Sequence, residues 1–103
     1  RSNTVMVHWS TTRTLAAATT SITLQAAVKN WDGANHTLTP VIRVASTDYT
    51  PGTTVQSTDP DGLRRFKWTF TVPSTTTYTI KLSGTRTSGV APFQVLERID
   101  VAA

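Results

Sequence analysis

The sequence predicts an all-β fold, an antiparallel sandwich of two sheets with about seven to eight strands, and three observations carry that prediction. Thr is by far the commonest residue; its branched Cβ suits an extended backbone, and its hydroxyl keeps an outer face wet. Apolar and polar residues alternate through Phe66, Trp68, Phe70 and Val72, and again through Tyr78, Ile80 and Leu82, which is the period of a half-buried strand. No stretch of helical length carries apolar residues at spacings of three and four between caps. A chain of 103 residues makes one domain, since folding at this size removes roughly two-thirds of the unfolded surface from water. A single sandwich domain over residues 1–103 is therefore expected. It opens on Arg1-Ser2-Asn3-Thr4 without an initiator Met, which suggests the C-terminal part of a longer polypeptide.

In chain order, Val5, Val7 and Trp9 form the first inward row, with Met6 and His8 facing the other way. The stretch TTRTLAAATT breaks the alternation and reads as a crossing or an irregular edge. Ile22, Leu24, Ala26 and Val28 form the next row, ending at the turn signal Asp32-Gly33. LTPVIRVAS follows, with Pro40 expected at the strand's start, where a missing N–H does least harm. Residues 46–63 hold the turn formers Pro51-Gly52 and Asp59-Pro60-Asp61-Gly62 around a short edge strand, TTVQST. Residues 64–84 read as a hairpin turning near Thr75, which sets Trp68 across from Leu82, Phe70 from Ile80 and Val72 from Tyr78. The last strand carries Phe93, Val95, Ile99 and Val101 inward. Glu97 falls on the same parity, so either a bulge near Leu96 turns it outward or it pairs with a cation at the edge. Whether the connections are jelly-roll or immunoglobulin-like is left open by strand spacing.

Several chemistries are disfavoured by what the chain lacks. There is no Cys, so no disulfide framework, thiolate metal site or Cys nucleophile is available. No apolar run is long enough to span a bilayer, and no membrane insertion is expected. The net charge of +4 comes from dispersed basic residues, and only Arg64-Arg65-Phe66-Lys67-Trp68 clusters. A phosphate-binding surface needs a stripe or a reading motif, so these cations read as a solvated face that discourages edge aggregation, and no nucleic acid is expected as partner. No nucleophile elbow, helical His-Glu-x-x-His, phosphate-cradling loop or dinucleotide fingerprint occurs. The chain is read as not an enzyme, with no catalytic residue and no cofactor. Asp59 and Asp61 offer hard oxygen ligands, but Leu63 and Arg64 follow where a calcium loop needs further acids. The pair reads as turn chemistry, and no metal site is assigned.

Carbohydrate binding fits better, since a sugar needs an aromatic platform and a few directed polar groups. Trp9 and Trp68 are in phase with their apolar neighbours and read as core. Trp31 falls on the opposite parity from Ile22, Leu24, Ala26 and Val28, beside Asp32, Asn35 and His36. Those four residues, with Tyr49 as the other loop aromatic, form the candidate ligand site. The competing reading folds Trp31 over the end of the sandwich or into a subunit contact. Asn35-His36-Thr37 is also an N-glycosylation sequon, relevant only to a source with an ER.

The stretch FKWTFTVPSTTTYTIKLSGTRTSG, followed by FQVLERIDVAA and preceded by VKNWDGA, resembles small β-sandwich domains of phage tail fibres and other virion surface proteins. The same cadence is similar to accessory immunoglobulin-like modules of secreted bacterial enzymes and adhesins. The resemblance implies a display module on a virion or outside a cell. Its partners would be further copies of itself, other surface subunits or a glycan.

Overall fold

The structure is a computed structural model and describes residues 3–103. Six strands run in chain order: β1 (Asn3–Lys29), β2 (His36–Val44), β3 (Thr47–Tyr49), β4 (Thr53–Thr58), β5 (Arg64–Thr87) and β6 (Gln94–Ala102). No helix occurs among the described residues. All pairings are antiparallel, in the order β3-β2-β5-β1-β6, with β4 also on β5. Hydrogen bonding joins all six strands in one sheet, where two sheets of seven or eight strands were expected.

The difference arises because two segments read as pairs of strands are single long ones. Residues 64–84 do not form a hairpin; they lie within β5, and β1 pairs with β5 from Asn3↔Thr87 to Val28↔Arg64. Trp68 therefore pairs with Leu24, and Leu82 with Trp9. The physical reason lies in residues 73–77, Pro-Ser-Thr-Thr-Thr. A tight hairpin turn needs residues that accept positive φ, and none stands there. Among the described residues, only Asn30, Ala45, Gly62 and Gly89 have positive φ. The chain bends at Pro73 without reversing its pairing. β1 bends beside it, with register shifts between Thr14 and Thr19 and between Thr19 and Ser21. Thr19 is buried at this corner, where its hydroxyl bonds to Ser21 O at 2.9 Å and to Ala103 O.

The bend is large. A flat 24-residue strand would extend roughly 80 Å, yet the longest dimension of the molecule is 43 Å. The folded sheet brings its inner face against itself. Arg13, on the first half of β1, pairs with Asp100 of β6 at 2.9 Å, although β6 is hydrogen-bonded to the second half of β1. Arg98 of β6 lies 4.7 Å over the ring of Trp9. One core cluster draws on both halves: Ile22, Leu24 and Phe70 join Tyr78, Ile80 and Leu82. The residues read as hairpin partners thus share a core without pairing with one another.

Core membership was otherwise close to expectation, with additions and corrections. Ile42 and Val44 of β2 are buried as well. Val5 is 68% exposed, because the ladder slips between Val5 and Val7. Trp9 is only half-buried, beneath Arg98. Val95 is half-buried, and Ile99 and Val101 are exposed rather than interior. The cause is a bulge: Ala27 pairs with Glu97 and Val28 with Val95, leaving Leu96 as the extra residue. The bulge turns Glu97 outward, toward Arg65 at 3.9 Å, and brings Asp100 inward in place of Ile99.

Pro40 lies in the middle of β2, not at its start, and is buried. Thr87 N–H bonds to Asn35 O, so residues 35, 37 and 39 direct their backbone groups to β5. Pro40 has the other parity, and β3 reaches only Ile42 to Val44. Its missing N–H therefore faces an open edge and costs no ladder bond.

The inward Asp100 is held by two side chains. Arg13 donates to both carboxylate oxygens at 2.9–3.2 Å, and the Tyr78 hydroxyl donates at 2.8 Å. Burial pushes the Asp100 carboxyl up, but these bonds outweigh it and hold it below the usual range. Burial, then the Asp100 bond, pushes the Tyr78 phenol up. A depressed acid stabilises the fold above its unfolded pKa, ~3.9, and loses that contribution as pH falls through the folded value. A raised phenol contributes below its unfolded pKa, ~10, and loses it as pH rises. Urea titrations should therefore show stability falling below about pH 4 and above about pH 10. Asp100→Asn should flatten the acid limb at a cost of about 1–2 kcal/mol at neutral pH. An unchanged acid limb in that variant would show the triad to be thermodynamically silent.

Candidate ligand-binding site

Trp31 follows Asn30, whose φ of 63° swings the chain away from the sheet after β1. The turn that follows is knitted by Asp32. Its Oδ1 accepts from Ala34 N at 3.0 Å, its Oδ2 accepts from Asn35 Nδ2 at 2.8 Å, and its carbonyl accepts from His36 N at 2.8 Å. The Asn35 and Ala34 bonds hold the Asp32 carboxyl below its ordinary range.

His36 is buried, and its ring has fixed roles. Nδ1 accepts from Asp32 N at 2.9 Å, so Nε2, 2.8 Å from Ala91 O, carries the hydrogen and donates. The imidazole ties the Asp32 turn to the loop before β6 and is spent on structure. His36→Ala should orphan both backbone groups and cost about 1–3 kcal/mol, read as a lower urea midpoint.

Trp31 is half-buried. Its ring meets Phe66 at 5.0 Å and Phe93 at 5.1 Å, both edge-on, and lies 5.6 Å from His36. The indole is therefore anchored rather than a free platform. Such edge contacts contribute about 0.5–1.5 kcal/mol each, so Trp31→Ala should lower stability by about 1–3 kcal/mol, not leave it unchanged.

Of the five candidate residues, the fold brings Trp31, Asp32, Asn35 and His36 together. Tyr49 is elsewhere: it lines a separate cleft of about 580 Å³ with Arg43, Pro73 and Tyr78, at the bend of β5. Trp31 borders two clefts. One, of about 370 Å³, opens between β2 and β4 and is walled by Trp31, Phe66, Trp68, Leu38 and Pro51, with Thr54 and Gln56 at its rim. The second, of about 310 Å³, is bounded by Trp31, Gly33, Thr58, Gly62 and Arg64.

Arg64 is the residue that sequence reasoning passed over, having grouped it with its cluster. Arg65 is paired with Asp59 and Glu97. Arg64 is held by neutral acceptors instead: Gln56 Oε1 at 3.0–3.2 Å and Thr58 Oγ1 at 2.8 Å. A guanidinium has five N–H donors, and those contacts engage Nε, Nη1 and Nη2 once each. Donors remain on a cation with no acidic partner among the described residues. The inward parity of Arg64, shared with Phe66 and Trp68, was the signal available in the sequence. Asp59 and Asp61, weighed as calcium ligands, serve the 59–63 turn. Gly62 N donates to Asp59 O at 2.9 Å, and Leu63 N to Asp61 Oδ1 at 3.3 Å.

Comparison with family models, with curated proteins and with solved structures finds no match to this chain.

Proposed function

We propose that the chain is a non-catalytic surface domain of a virion or tail fibre, with a structural and host-attachment role. Its folded sheet acts as a β-sandwich of jelly-roll or immunoglobulin-like kind, displayed outside a cell or on a virion, and it meets a glycan at the clefts beside Trp31. The observation that supports this most is the position of Trp31. One indole edges an aromatic-walled cleft on one side and a cleft holding a partly free guanidinium on the other. Rings that stack on a sugar face, hydroxyl and amide groups at the rim, and one cation for an acidic substituent are what glycan recognition needs. The alternative is a carbohydrate-binding or spacer module of a secreted bacterial enzyme or adhesin, which would use the same clefts. Self-association or contact with other surface subunits completes either role.

A glycan array with the labelled protein tests the reading. Binding should be lost in Trp31→Ala that retains its β-type circular dichroism, and Gln56→Ala, which releases Arg64 from its amide acceptor, should weaken binding at a stability cost under about 1 kcal/mol, as expected for an exposed polar contact. Failure of every glycan to bind, or binding that survives Trp31→Ala, would remove the site.

A further inference from the structure

The cleft of about 310 Å³ between the turn after β1 and the turn before β5 collects hydrogen-bond donors. Arg64 has one further N–H on each Nη beyond those given to Gln56 and Thr58. Trp31 turns the N–H edge of its indole to the same space: a Cβ built on Gly33, another wall residue, would stand 3.5 Å from Trp31 Nε1. An indole nitrogen only donates. The Thr58 hydroxyl accepts from Arg64 Nη1 at 2.8 Å, so it too has a hydrogen to give. Among the described residues no acid lines this cleft. The carboxylates of the adjoining turns bond elsewhere: Asp32 to Ala34 N and Asn35, Asp59 to Arg65, and Asp61 to Leu63 N. One side of Trp31 therefore offers donors and an uncompensated positive charge, while the other offers the rings of Phe66 and Trp68.

We infer that the ligand carries a carboxylated pyranose, its carboxylate on Arg64 and the Trp31 N–H, with the neighbouring neutral sugar in the aromatic-walled cleft. The inference rests on the glycan reading above and narrows its substrate class. A ligand that displaces water from a cationic cleft of donors must bring its own negative charge and acceptors, or the buried charge is left unpaired. Two N–H groups of one guanidinium match the two oxygens of a carboxylate, and such charge-assisted pairs are roughly twice as strong as neutral ones. A uronate bears its carboxylate directly on a ring carbon, so the anion stays within reach of a ring held beside Trp31. A sulfate ester stands off by one more oxygen and is tetrahedral, a poorer match to a planar fork. The two sides of Trp31 also set the order of the sugars. Charge belongs on the Gly33 side, and the apolar face of the next sugar belongs against Phe66 and Trp68. Gln56 joins the two halves, since it lines the aromatic cleft and holds the guanidinium of the polar one.

Calorimetric titration with a panel of hexuronate-terminated disaccharides, each beside its carboxyl-reduced neutral counterpart, tests the class. At least one uronate should bind wild type about tenfold or more tightly than its reduced form. Arg64→Gln should bring the two to equal affinity while keeping its circular dichroism. Gly33→Ala is a gentler route that spares the cation. Its Cβ would meet Trp31 Nε1 at ordinary contact distance, so the fold should accept it, yet the methyl shields the indole N–H and should weaken the uronate more than the neutral sugar. Should Arg64→Gln fail to fold, the wild-type comparison and Gly33→Ala decide without it. Equal binding of acid and reduced forms by wild type, a preference that survives Arg64→Gln, or a sulfated neutral disaccharide that binds as tightly as the uronate would each overturn the inference. Neutral sugars that bind through Trp31 with no preference for the acid would leave the glycan reading standing and remove only this one. No binding by any member of the panel or of the array would remove both.

Discussion

Trp68→Ala is expected to destabilise the domain by about 3–5 kcal/mol, the scale for emptying a large buried aromatic site. Trp68 is 3% exposed, stacks on Phe66 with ring centroids 5.2 Å apart, and sits in the cluster that both halves of the folded sheet share. Its neighbours come from a continuous ladder, Leu24 on one side and Thr54 on the other, so the backbone cannot collapse to fill the void. Urea unfolding should show the loss at unchanged m-value, or no folded state at all. A loss under about 1 kcal/mol would place Trp68 outside the core.

The second large effect is expected at Gly84→Ala. A Cβ at Gly84 would lie 2.6 Å from Phe93 Cζ and 3.1 Å from Val7 Cβ. Gly84 is a strand residue between Val7 and Leu38 in the ladder, and its missing side chain is the seat of the Phe93 ring. Phe93 is 3% exposed and contacts Trp31 and His36, so moving the ring disturbs the candidate site too. Overpacking of this kind costs about 1–3 kcal/mol. Phe93→Leu in the Gly84→Ala background should recover part of the loss, giving a non-additive cycle. Strict additivity would mean that the ring and the glycine are not in contact.

Much of this was legible in the sequence, and the misreadings have physical causes. Period-two alternation identified most strand segments and most of the core, because the inward face of a strand depends only on parity; it missed β3, where Tyr49 was read as a loop residue, and the buried Ala27, Ile42 and Val44. Partner choice was not legible. An alternating run before Pro73 and another after it read as a hairpin, yet parity is the same for a strand that reverses and one that folds over. The missing clue was negative: Ser74 to Thr77 offer no residue suited to positive φ. The bulge at Leu96 was anticipated from Glu97, but its consequence, Asp100 inward and Ile99 outward, was not carried through. Trp31, Asp32, Asn35 and His36 were near in sequence and proved near in space. Arg64 comes to Trp31 only through the ladder that joins Arg64 with Val28 and Thr58, a long-range fact invisible to local pattern.

The most direct test of a ligand cleft beside Trp31 is a titration of the three indole N–H resonances in a heteronuclear NMR spectrum, with a panel of neutral hexoses and carboxylated pyranoses. The Trp31 signal should move saturably with at least one sugar, while the signals of buried Trp68 and of Trp9, beneath Arg98, stay in place. If a carboxylated sugar is the ligand, its methyl ester should bind about tenfold or more weakly, since a charge-assisted bond to Arg64 contributes about 1.5–3 kcal/mol. An unmoved Trp31 signal across the panel, or equal shifts in all three indoles, would contradict the account.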